Sequence, residues 1–116
     1  MWLLIDDMRD LNTEAIARTP DAGRKLLAVG GWDCLCLDHD LAANESGYDI
    51  LVWALERRLV PAMVQLVTSN PVGRSNMRAA LETAGYVTCD GINFTSISDD
   101  CPKSSLASSP PINSPT

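Results

Sequence analysis

Aromatic residues make up only 5% of this 116-residue chain. A core must therefore be built from aliphatic side chains, which suits an α/β or α protein. Long apolar runs are also missing. Stretches such as Leu59–Val60–Pro61–Ala62–Met63–Val64 fall far short of the ~18–20 residues that a membrane-spanning helix needs. The opening Met1–Trp2–Leu3–Leu4–Ile5 lacks a basic n-region and runs directly into Asp6 and Asp7, so it does not read as a signal peptide. Positive charge is scarce. Nine basic residues against fifteen acidic ones leave a formal net charge of −6. That excludes extended binding along a duplex, which needs a basic surface, but leaves room for a small anion held locally. Cysteine lacks the paired CxxC spacing of a zinc site. Cys34, Cys36, Cys89 and Cys101 read instead as free thiols in a reducing, cytoplasmic setting.

What is present is an alternation of short apolar runs and helical patterns. Trp2–Leu3–Leu4–Ile5, Asp33–Cys34–Leu35–Cys36–Leu37 and Met63–Val64–Gln65–Leu66–Val67 read as buried strands. Ala15–Ile16–Ala17–Arg18 and Val87–Thr88–Cys89 are weaker strand candidates, the latter an edge strand. Thr19–Pro20–Asp21 and Asn70–Pro71 open helices with a capping side chain followed by proline. Tyr48 to Arg58 supplies a third helix. The order predicts one α/β domain over residues 1–98, with a parallel sheet between helical layers in a three-layer α/β/α arrangement. From residue 99 a Ser/Pro-rich segment has little to bury and reads as a flexible tail.

Three of these strands end in polar residues: Asp6–Asp7, Asp38–His39–Asp40 and Thr68–Ser69–Asn70. Taken singly, such groups are ordinary caps and loop residues. If the strands are parallel neighbours, the groups meet in one crevice beyond the carboxyl ends of the sheet, where ligands bind in such folds. Clustered carboxylates repel unless a cation neutralises them, and Mg²⁺ takes hard oxygen ligands of this kind. The neighbouring Asn70–Pro71–Val72–Gly73–Arg74 opens a helix, so free N–H groups and the positive dipole end favour an anion. Gly73 permits close approach of a ligand, and Arg74 can bind phosphate oxygens bidentately. A metal cluster facing a phosphate cradle is the outline of phosphoryl chemistry. Tyr48 stands at the crevice mouth or staples its helix.

Ile5–Asp6–Asp7–Met8–Arg9–Asp10, Leu37–Asp38–His39–Asp40–Leu41, Gly47–Tyr48–Asp49 and Ser69–Asn70–Pro71–Val72–Gly73–Arg74 together resemble the cyclic-phosphate-processing receiver domains, over about residues 2–86. The resemblance implies a compact receiver-like, flavodoxin-like fold with a shortened first connection. It implies a pocket lined by Asp6, Asp7, Asp38, His39, Asp40, Ser69, Asn70 and Arg74. Its activity would be the binding and hydrolysis of a cyclic phosphate, in a cyclic nucleotide or at an RNA 2′,3′-cyclic end. On that reading Asp6, Asp7 and Asp38 hold Mg²⁺, and Asp38, His39 and Asp40 supply acid–base groups. Ser69, Asn70, Gly73 and Arg74 bind phosphate. Two departures bear on the alternatives, a binding module without turnover and a degenerate receiver that accepts phosphate on Asp38. Thr68 stands where the family often has histidine, which favours a binding module without turnover. The only late lysine is Lys103, so the lysine that a phospho-accepting receiver needs at the end of its last strand is missing.

Overall fold

The computed structural model describes residues 1–41 and 44–97. The expected Ser/Pro-rich tail, with Cys101 and Lys103, lies outside the described residues. Nine elements follow in chain order: β1 (Trp2–Ile5), β2 (Ala15–Ala17), α1 (Pro20–Val29), β3 (Cys34–Leu37), α2 (Gly47–Glu56), β4 (Met63–Leu66), α3 (Pro71–Thr83), β5 (Tyr86–Thr88) and β6 (Asn93–Ser96). They form one six-stranded sheet in the order β2-β1-β3-β4-β6-β5. The expected α/β class and short first connection are both present: residues 6–14 link β1 to β2 without a helix.

Each helix starts where a polar side chain can satisfy a backbone N–H that has no intrahelical partner. Thr19 accepts from the Ala22 amide on α1. Ser46 and Asp49 form a reciprocal capping box on α2. The Asn70 side chain accepts from Gly73 N at 3.0 Å on α3. Proline occupies the first turn of α1 and α3, where its missing N–H costs nothing.

Strands β2, β1, β3 and β4 are parallel, in the register Leu3↔Leu35↔Val64 at the centre. Two features differ from the expected three-layer parallel arrangement. First, the sheet is mixed. Strand β6 inserts between β4 and β5 and runs antiparallel to both. Its Asn93–Phe94–Thr95–Ser96 carries one apolar residue, Phe94, which is buried, between exposed polar neighbours. Second, the three helices lie on one face. Leu27, Ile50, Leu51, Ala54, Met77 and Leu81 from the helices pack with Leu3, Ile5, Leu35, Leu37, Val64, Leu66 and Phe94 in a single core. Among the described residues, the opposite face holds a small cluster of Leu4, Cys34 and Cys36 with Ile16 and Val67 against it.

Handedness explains the one-sided helices. The crossovers through α1, α2 and α3 all step in the same direction along the sheet, and right-handed crossovers in one direction land on one face. The step from β1 to β2 runs the other way, and it carries no helix. Cys34 and Cys36 are free and buried, as small apolar residues, and Cys89 is free and exposed. No helix among the described residues is long and apolar enough to cross a membrane.

Candidate active site

Because β1, β3 and β4 are adjacent and parallel, their carboxyl ends bring Asp6, Asp38 and the Thr68–Ser69–Asn70 segment together. Carboxylate oxygens of Asp6, Asp7 and Asp38 all lie within 4.8 Å of one another. They open into a cleft of about 510 Å³ lined by Asp6, Asp7, Met8, Arg9, Asp38, Asp40 and Ser69. A smaller cleft of about 260 Å³ sits beside it, lined by His39, Asp40, Leu41, Asn44, Glu45, Ser46 and Asp49. Asp40 forms part of both walls.

Asp6 is buried at 2% exposure. Its Oδ1 accepts from the amides of Met8 and Arg9, each at 3.0 Å, and its Oδ2 accepts from Arg9 Nη1 at 3.0 Å. The same Nη1 donates to the Val67 carbonyl just past β4. Asp38 accepts from its neighbour's amide, His39 N, at 2.8 Å. Burial pushes the Asp38 carboxyl above the ordinary carboxylate range, and the negative charge of Asp6 adds to this. A hydrogen bond from Thr68, the His39 amide and the Arg9 charge oppose the shift. Thr68 is itself buried, and its hydroxyl accepts from Asn70 N at 3.0 Å.

Asp40 has the opposite character. It is exposed, and hydrogen bonds from His39 and then Asn70 hold its carboxyl below the ordinary range. His39 Nδ1 lies 3.0 Å from Asp40 Oδ1, and Asn70 Nδ2 donates to that oxygen at 3.1 Å. The backbone curls tightly here. Gly47 N donates to the His39 carbonyl at 2.8 Å.

Two glycines make this packing fit. A Cβ on Gly47 would lie 1.8 Å from the Asp38 carbonyl oxygen. A Cβ on Gly73 would lie 2.3 Å from His39 Cγ and 2.6 Å from Nδ1. The close approach that Gly73 permits is therefore made by the His39 ring.

Residues 1–83 match the cyclic-phosphate processing receiver domain. The chain belongs to this family. No curated protein matches it.

In this receiver domain the site residues singled out from the sequence fall into three groups. Asp6, Asp7, Asp38, Asp40 and Ser69 share the acidic cleft. His39 faces the smaller one. Asn70, Gly73 and Arg74 line neither. Asn70 caps α3 and steadies Asp40. The Arg74 guanidinium donates to the Thr68 carbonyl, and its Nε is buried without a partner. Tyr48 borders a separate groove between α2 and α3. Sequence reasoning overlooked Arg9 and the part played by Thr68. Arg9 had a signal, since it stands three residues after Asp6 in a tight polar turn, but its reach to β4 depends on the sheet.

The acidic cluster fits a hard divalent cation. It offers three carboxylates at suitable mutual distances, and desolvation of Asp38 makes a neutralising charge favourable. Asp6, Asp7 and Asp38 would hold such an ion, one oxygen from each.

Proposed function

We propose that this receiver domain binds a cyclic phosphate in the acidic cleft and hydrolyses it with the help of Mg²⁺ held by Asp6, Asp7 and Asp38. The observation that carries this reading is the convergence of those three carboxylates at the ends of adjacent parallel strands, in a cleft large enough for a nucleotide-sized ligand. Bound Mg²⁺ supplies charge neutralisation at a phosphoryl oxygen and a lowered pKa for water.

The chain's own groups divide the remaining work. Ser69 offers a hydroxyl to phosphate from the cleft wall. Asp38, partly desolvated, serves as cation ligand or proton acceptor. Asp40 borders the cleft as an anion, oriented by His39 and Asn70. The imidazole thus acts on the acidic cleft through Asp40, as a positioning group with a proton to exchange. Arg74 and Gly73, expected at the phosphate, support the reading only through the start of α3: Arg74 holds the Thr68 carbonyl, and Gly73 leaves space for His39.

A second reading is binding without turnover. It is favoured by Thr68, a buried hydroxyl that takes no part in acid–base chemistry near neutral pH, where the family often has an imidazole. Phosphorus NMR with 2′,3′-cyclic and 3′,5′-cyclic nucleotides, with and without Mg²⁺, separates the two. Conversion to a monoester that is at least 100-fold slower in Asp38→Ala, an effect typical of a lost acid–base group, is the expected result. Broadened resonances without conversion would establish the binding module. Unchanged spectra under every condition would remove the cyclic-phosphate reading.

A further inference from the structure

Among the described residues, Arg9 is the only cationic side chain lining the acidic cleft. One of its guanidinium nitrogens bridges Asp6 Oδ2 and the Val67 carbonyl, tying the β1–β2 loop to the end of β4. Asp6 divides its two oxygens between two tasks. Oδ1 holds the turn through the Met8 and Arg9 amides, and Oδ2 holds the guanidinium. The guanidinium therefore occupies the Asp6 oxygen that the turn amides leave free, while the turn amides do not depend on it. Behind the loop, Arg18 donates to the Asp6 and Arg9 carbonyls and pairs with Asp10. The loop backbone is thus anchored separately from the Arg9 side chain.

We infer that Arg9 is an exchangeable counter-ion: it holds Asp6 Oδ2 until a divalent cation takes that oxygen, and its freed guanidinium then binds a phosphate group in the same cleft. This rests on the proposed metal site and adds a residue that converts cation binding into anion affinity. Charge supports the order of events. One guanidinium offsets one of three clustered carboxylates, and a divalent ion offsets two. The Arg9 side chain is 40% exposed, so it can swing without opening the core. The guanidinium fork suits phosphate oxygens as well as it suits a carboxylate.

The test is calorimetric titration of the full chain with Mg²⁺ alone, followed by inorganic phosphate on the Mg²⁺-loaded protein. Wild type, Arg9→Met and Arg18→Met are compared. Losing a charge-assisted competitor should tighten Mg²⁺ binding by about tenfold in Arg9→Met and weaken phosphate binding by a similar factor. Arg18→Met loosens the loop backbone and removes a charge that touches no cluster carboxylate, so it should not tighten Mg²⁺ binding. A merely structural Arg9 would weaken both affinities together, and that result overturns the inference. So does wild-type Mg²⁺ affinity in Arg9→Met. Failure of Mg²⁺ to bind any variant, Arg9→Met included, overturns the metal site itself. Arg9→Lys keeps a cation but cannot offer the planar fork. It should shift both affinities in the same directions by a smaller factor, and it carries the test if Arg9→Met does not fold.

Discussion

At the scale of single residues, the site depends as much on what is missing as on what reacts. Gly47 and Gly73 are written into tight backbone and ring contacts, so a single methyl group is a sharp probe. Alanine inside a helix gains about 1 kcal/mol over glycine in propensity, but overpacking costs about 1–3 kcal/mol. At Gly73 the added carbon meets an imidazole, which can turn away. Gly73→Ala should therefore fold with a modest net loss of stability and displace His39 from Asp40. With the His39 hydrogen bond gone, the Asp40 carboxyl should titrate closer to the ordinary carboxylate range. NMR titration of the Asp40 carboxyl carbon reads this directly. An unchanged titration would mean that His39 keeps its partner despite the methyl group. At Gly47 the carbon meets a carbonyl oxygen at 1.8 Å, and backbone cannot turn away, so Gly47→Ala should cost the larger share of stability in urea.

At the scale of elements, the turn between β5 and β6 is a pH-sensitive fastener. Asp90 Oδ1 accepts from the amides of Ile92 and Asn93, each at 2.8 Å, and Oδ2 accepts from the Asn93 side chain at 2.9 Å. The Asn93 amide, then its side chain and the Ile92 amide, hold the Asp90 carboxyl well below the usual range. A folded-state pKa below the unfolded value of about 3.9 contributes stability above that value and loses it as pH falls through and below it. The melting-temperature gap between wild type and Asp90→Ala should be widest near neutral pH and should narrow below about pH 4. A gap independent of pH would show that the turn does not depend on the carboxylate's charge. This same turn explains why β6 is hard to read from sequence. It is a short strand with one inward side chain, and its pairing partner β4 lies far back along the chain.

At the scale of the whole molecule, the core is one-sided. Leu35 on β3 is fully buried between sheet and helices, whereas Met63 on β4 is 39% exposed. Leu35→Ala should cost about 2–5 kcal/mol through lost burial and a cavity, and Met63→Ala should cost less than about 1 kcal/mol. Equal losses in urea denaturation would mean that the face bearing Met63 is covered as fully as the helical one. The site inherits its position from this architecture. The same adjacency of β1, β3 and β4 that centres the core also stacks three polar strand ends into one cleft.

Much of this was legible in the chain itself. The apolar runs, the Thr19 and Asn70 helix starts, and the polar residues ending β1, β3 and β4 are local patterns, and local patterns are carried by neighbouring residues. The family motifs placed Asp6, Asp7, Asp38, Asp40 and Ser69 at a common edge for the same reason. Three features were decided only by tertiary structure. The helices share one face because crossover direction depends on strand order. His39 turns toward Gly73 and a second cleft because the start of α3 packs over the end of β3. Arg9 bridges Asp6 and Val67 because residues far apart in sequence become adjacent only when β1, β3 and β4 pair.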